Sequence, residues 1–180
     1  MPETAERNFQ DVELNVATVV NMVVDHVKHT WESVNECRLR FFGGWVLADG
    51  RRTQQGHWVA EALRAARGLR NGIRVLPEMA FALCTNPSAE LRGTARIRRE
   101  RRSYTLQQKM VDTMITADLL TLPLMLGERI VLYSDDDDVV PGLIACRPGR
   151  EVCDLVRKRA SETRPNDPHL LALGVTVHTY

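Results

Sequence analysis

The residues best suited to chemistry are four consecutive aspartates, Asp135 to Asp138, set between the apolar runs "RIVLYS" and "VVPGLIAC". Adjacent carboxylates repel one another, and burying them unpaired costs several kcal/mol or forces protonation. Something positive is therefore expected among them. Bulk solvent with a few arginines is the plain candidate, since an acidic turn after a strand is common. Mg²⁺ or Mn²⁺ is the sharper one, because both are hard ions that prefer carboxylate oxygen. Composition alone favours the solvated turn. Placement favours the ion, because the run follows a strand-like segment at the end where α/β sheets present their ligands.

A second group lies upstream in "TLQQKMVDTMITADLLTLPLM". Lys109 and Asp112 are three residues apart and, on a helix, share a face with Thr105 and Thr116. Asp118, at about 600° of helical turn beyond Asp112, points elsewhere and suits a structural role. Asp112 can then join the strand-end aspartates around one ion, with Lys109 balancing charge or meeting a phosphate. Taken alone, the Lys109–Asp112 pair reads as a surface ion pair worth little.

These residues need elements to hold them. Val12, Val16, Val19, Val20, Val23, Val24 and Val27 recur at helical spacing, so residues 1–34 carry a valine-rich helix from Asp11 to about Trp31. "CRLRFFGGWVLAD" reads as a strand that bends at Gly43-Gly44. "QGHWVAEALRAARGL" reads as a second helix, stopped by Asn71-Gly72, and "GIRVLPEM" as a short strand ended by Pro77. Residues 81–104 show no period and read as an irregular, arginine-rich insertion. A helix capped by Thr105 and ending near Pro123 follows. After it come the strand "ERIVLYS", a short helix "VVPGLIACR" with proline in its first turn, and a last strand "LALGVTVHT". Alternation of helix and strand predicts an α/β fold of three layers with a mostly parallel central sheet, as one domain over residues 1–180.

The composition excludes some functions. With 44% hydrophobic and 26% charged residues the chain is globular, and its formal charge of +1 gives no global pull on nucleic acid. The cations are unevenly placed. All but Lys28, Lys109 and Lys158 are arginine, and Arg92, Arg96, Arg98, Arg99, Arg101 and Arg102 crowd together. Cys37, Cys84, Cys146 and Cys153 show no C-x-x-C pairing and suit small buried groups in a reducing compartment. His26 and His29 lack a third ligand. The opening "MPETAERNFQ" has no apolar run of the kind a secretory signal needs, and the sequence shows no span of bilayer length, no P-loop and no nucleophile elbow, so the expected location is the cytoplasm, with no membrane contact.

The stretch "KMVDTMITADLLTLPLMLGERIVLYSDDDDVVPGLIA" resembles the second half of the NYN domains, a branch of the PIN-like nucleases. That family carries a Lys-x-x-Asp helix with a further Asp six residues on. A strand follows that ends in Ser-x-Asp-x-Asp, then an aromatic residue, a spacer and Pro-Leu. Lys109, Asp112 and Asp118 match the helix, and Ser134, Asp136, Asp138 and Pro141 match the strand end. The resemblance thus selects Asp136 and Asp138 over Asp135 and Asp137. Val139 replaces the aromatic, and Leu143 comes one residue late.

The resemblance implies a PIN-like fold and hydrolysis of phosphodiesters, in RNA more often than DNA, with Mg²⁺ or Mn²⁺. On it, Asp112, Asp136 and Asp138 form the metal shell, Ser134 orients a carboxylate or water, and Lys109 neutralises developing charge. Arg96, Arg98, Arg99, Arg101 and Arg102 would track the nucleic-acid backbone. The family opens with a central strand ending in a metal-binding Asp, a place that "FQDVELN" gives to Asp11 with almost no strand before it. A flank missing that strand calls for cover by a second copy or a protein partner that completes the sheet. A PIN-like subunit without catalysis, binding a protein partner and nucleic acid, is the alternative.

Overall fold

A computed structural model of the chain describes residues 2–99, 104–122, 129–146, 153–158 and 164–179. The architecture is mixed α/β, and it divides into two compact units, residues 1–81 with 90–109 and residues 82–89 with 110–180. No helix among the described residues is long and apolar enough to cross a membrane.

The first unit opens on α1 (Pro2–Thr30), whose buried stripe is Val16, Val20, Val23, Val24 and Val27. Valine is a poor helix former, so the stripe needs a partner. That partner is α2 (Gln54–Ala66), which buries Val59, Ala62, Leu63 and Ala66 and packs on α1. The Thr53 hydroxyl starts α2 by accepting the Gly56 N–H at 3.0 Å. Strands β1 (Glu36–Phe41), β2 (Gly68–Arg70) and β3 (Ile73–Met79) form a sheet of order β1-β3-β2, with β3 parallel to β1 and antiparallel to β2. Helix α2 also packs on β3.

The Asn71-Gly72 pair does not stop α2, which already ends at Ala66. Both residues are left-handed, with φ of 51° and 81°, as the two-residue turn of a β-hairpin requires, and they join β2 to β3. Nor does Pro77 end β3. It pairs with Leu39 of β1, beyond the last residue that β2 covers, where a missing N–H leaves no ladder bond unmade.

Two further expectations give way between residues 81 and 110. The segment read as irregular contains β4 (Ala95–Arg99), and the first residues of the expected helix form β5 (Tyr104–Gln108), antiparallel to it. The alternation is hidden in sequence because arginine stands on both faces of β4. Cross-strand pairing overrides the helical propensity of "LQQKM". The base of this ribbon is fixed: Thr94 is buried, its hydroxyl accepts the Val46 N–H at 3.0 Å, and the Ala95 N–H donates to the Val46 carbonyl at 2.9 Å. Beyond Ala95 every residue of β4 is exposed.

The second unit includes Met110 in the left-handed region (φ 60°), followed by α3 (Val111–Thr121). Strands β6 (Ile130–Tyr133), β7 (Cys153–Arg157) and β8 (Thr176–Thr179) form a wholly parallel sheet in that order. Helix α4 (Val140–Cys146) lies between the first two strands in sequence and α5 (Asp167–Ala172) between the last two. Leu132, Val139, Leu143, Leu155, Leu170 and Val175 are central to the core. Neither β7 nor α5 stands out in the sequence. The strand is short with charges inside it, and α5, with Pro168 in its first turn and Gly174 (φ 73°) after it, is six residues long.

Candidate metal centre

The chain leaves the carboxyl end of β6 through Ser134, whose N–H still donates to the Val156 carbonyl on β7 at 3.2 Å. The Ser134 hydroxyl then accepts the Asp136 N–H (3.1 Å), and Asp136 Oδ1 accepts the Asp138 N–H (3.0 Å). These two side-chain-to-backbone bonds wind the acidic run into a tight turn that continues as one turn of 3-10 helix, Asp137–Val139. Val139 and Val140 are buried directly behind it, so the turn is pinned to the core.

The four aspartates divide by their partners. Asp135 Oδ1 accepts from the Lys158 N–H at 2.8 Å and from Arg164 Nη2 at 3.1 Å, and Arg164 Nη1 donates to the Asp135 carbonyl. Asp137 Oδ1 accepts from Arg157 Nη1 at 2.5 Å. The other two turn to a different neighbour. Asp136, Asp138 and Asp112 each offer a carboxylate oxygen, and these oxygens all lie within 4.8 Å of one another. Among the described residues, no ion pair involves any of these three.

Asp112 comes to this point from the first turn of α3, where the helix N-terminus favours a carboxylate. One turn on, Thr116 meets Gly142 of α4. A Cβ on Gly142 would lie 2.9 Å from Thr116 Oγ1 and 3.1 Å from its Cγ2. Glycine thus permits the close approach of α3 to α4 that sets Asp112 against the turn.

No protein-family model matches the chain, and neither a curated protein nor a solved structure is similar to it. The donor set fits a hard divalent ion in its chemistry. All three donors are carboxylate oxygens, which suit Mg²⁺ and Mn²⁺.

The remaining sequence-derived site residues fall elsewhere. Asp118 is buried and its Oδ1 accepts the Cys84 N–H at 2.8 Å, tying residues 82–89 to α3. Lys109 follows β5 in the first unit and lies outside α3, so its expected place on a helical face with Asp112 does not hold. The left-handed Met110 separates Lys109 from the helix. Asp11 is an exposed residue within α1, not the end of a strand, because the valine stripe draws this whole segment into a helix. Arg96, Arg98 and Arg99 are exposed on β4, while Arg101 and Arg102 lie outside the described residues. His26 packs edge-on to Trp31, with ring centroids 5.8 Å apart. Among the thiols, burial pushes Cys37 up to about 11.

Sequence reasoning missed Arg157, Arg164 and Gly142. The arginines reach the aspartates from 20 and 29 positions away, which no local spacing encodes. Gly142 had a signal of a kind: a glycine inside a short helix, beside a proline, that local structure does not require.

Proposed function

We propose that this protein is a divalent-metal-dependent nuclease of the NYN/PIN-like type, acting on RNA, with Asp112, Asp136 and Asp138 as the ion's ligands. The observation that carries the reading is the division of the acidic run. Asp135 and Asp137 are taken up by arginines and a backbone N–H, while Asp136 and Asp138 join Asp112 from another element.

The chain's own groups suit phosphodiester hydrolysis. A Mg²⁺ or Mn²⁺ held here would activate water and stabilise charge on the scissile phosphate. The three carboxylates supply a fixed, pre-formed pocket of negative charge. Ser134 holds the Asp136 backbone, and through it the register of the turn. Arg96, Arg98 and Arg99 on the β4–β5 ribbon, free of ion pairs among the described residues, supply positive charge for a nucleic-acid backbone. A three-layer PIN-like arrangement with a mostly parallel sheet belongs to the same proposal.

The test is cleavage of labelled RNA by the full chain with Mn²⁺ or Mg²⁺. EDTA and Asp136→Asn should each abolish it, and cleavage that persists in the variant removes Asp136 from the site. One observation favours a second reading, a PIN-like subunit without catalysis. Asp11, the carboxylate expected from the opening strand, sits exposed on a helix. Light scattering after size exclusion separates the readings in part: a non-catalytic subunit that needs cover should form a stable oligomer, and a clean monomer counts against it.

A further inference from the structure

The largest fully buried side chain among the described residues is a charged one, Arg157, 1% exposed at the last position of β7. A guanidinium is protonated at any working pH, and burying it is costly unless partners are held in place. Its partners are Asp137, at 2.5 Å from Nη1, and Asp167 at the start of α5, 3.5 Å from Nε. Among the described residues, Nε and Nη2 have no hydrogen-bond partner. The close contact of the fork is thus with the one acidic residue that lies between the two ligand aspartates in sequence.

We propose that Arg157 is the positioning residue of the carboxylate centre. By fixing Asp137 it fixes the backbone of the 3-10 turn, and with it the directions of Asp136 and Asp138, so the three-oxygen pocket exists before an ion arrives. The inference rests on the reading of that centre as a cation site. Asp137 itself is not a ligand on this account. It is the handle by which a rigid parallel strand grips a loop of like charges that would otherwise spread apart.

Charge and geometry make opposite predictions, which renders the role testable. Removing a cation beside a metal site should, by charge alone, tighten binding of Mn²⁺. Removing a positioning group should weaken it, by roughly 10–100-fold for a partner outside the ligand set. Electron paramagnetic resonance of free Mn²⁺, titrated with the full chain, reads the difference directly. Arg157→Met is expected to weaken binding, and Arg157→Lys, which keeps the charge but loses the fork, to weaken it to a smaller degree. Asp167→Asn disturbs the buried arginine without touching the turn and should leave Mn²⁺ affinity near that of the wild type, even if the melting temperature falls. Unchanged or tighter binding in Arg157→Met overturns the proposal, as does a loss in Asp167→Asn that matches the loss in Arg157→Met. If the wild type takes up no Mn²⁺, the cation site itself fails, a result distinct from wild-type binding that is indifferent to Arg157.

Discussion

The acidic turn after β6 and the basic ribbon β4–β5 are both dense in one sign of charge, yet they are built in opposite ways. The ribbon is anchored at its base through Thr94 and Ala95, and beyond them the arginines of β4 stand in solvent without ion pairs among the described residues. The turn is held at every residue by a hydroxyl, a backbone N–H, a guanidinium or a neighbouring carboxyl group. Like charges in solvent avoid one another by moving apart, and cost little. Like charges pinned together by a buried arginine and a helix–helix contact cannot, and a cation is what such an arrangement suits. The difference separates a turn of fixed geometry from a ribbon whose charges stand in solvent.

The largest effect expected from this contrast is on the turn. Asp136→Asn or Asp138→Asn should reduce Mn²⁺ affinity by more than the roughly 10–100-fold typical of outer-shell partners. In EDTA the same variants should melt at or above the wild-type temperature, since each relieves repulsion among three close carboxylates. A marked loss of stability would recast those residues as structural.

Next comes the helix contact that sets Asp112. Gly142→Ala places a methyl group 2.9 Å from Thr116 Oγ1, and overpacking of this kind costs about 1–3 kcal/mol. Chemical denaturation should show the destabilisation, with weaker Mn²⁺ binding alongside it. Pairing the change with Thr116→Ala should recover part of both. If Gly142→Ala is silent, the approach of α3 to α4 is not what places Asp112.

The ribbon should respond in the reverse sense. The triple change of Arg96, Arg98 and Arg99 to Gln should leave stability within about 0.5 kcal/mol, as surface substitutions do. It should lower affinity for single-stranded RNA and flatten the salt dependence by about 0.7 in slope for each phosphate that is no longer neutralised. Fluorescence anisotropy in EDTA measures this independently of metal. An unchanged salt slope would remove the ribbon from the account of binding.

The smallest effect concerns Cys37 on β1. Burial raises its thiol from an ordinary value near 9 to about 11, so the folded protein holds the proton more tightly than the unfolded chain. The stabilisation is complete below the unfolded value and is lost as pH rises through the folded one. Stability should therefore fall above about pH 9, and Cys37→Ser should flatten that alkaline limb.

How far the sequence reveals this arrangement depends on the range of each interaction. The Ser134–Asp136–Asp138 relay is legible because its bonds are local, each spanning two residues. The valine stripe of α1 is legible because helical periodicity survives over many turns. The β4–β5 ribbon is not, since arginines on both faces erase the alternation that marks a strand. Lys109 is misplaced by sequence reasoning because a single left-handed residue, Met110, cuts a segment whose propensities read as one helix. Asn71-Gly72 carries a hairpin signal that the preceding helix pattern conceals. Arg157 leaves no trace, because what gives it meaning is a parallel register joining β6 to β7 across an intervening helix.

Calorimetric titration of Mn²⁺ into the full chain reads the division of the acidic run. Binding should be saturable in the wild type, lost in Asp136→Asn and retained in Asp135→Asn, whose carboxylate belongs to Arg164 and the Lys158 N–H. Equal loss in both variants, or no uptake by the wild type, would contradict the division of the acidic run on which the site is built.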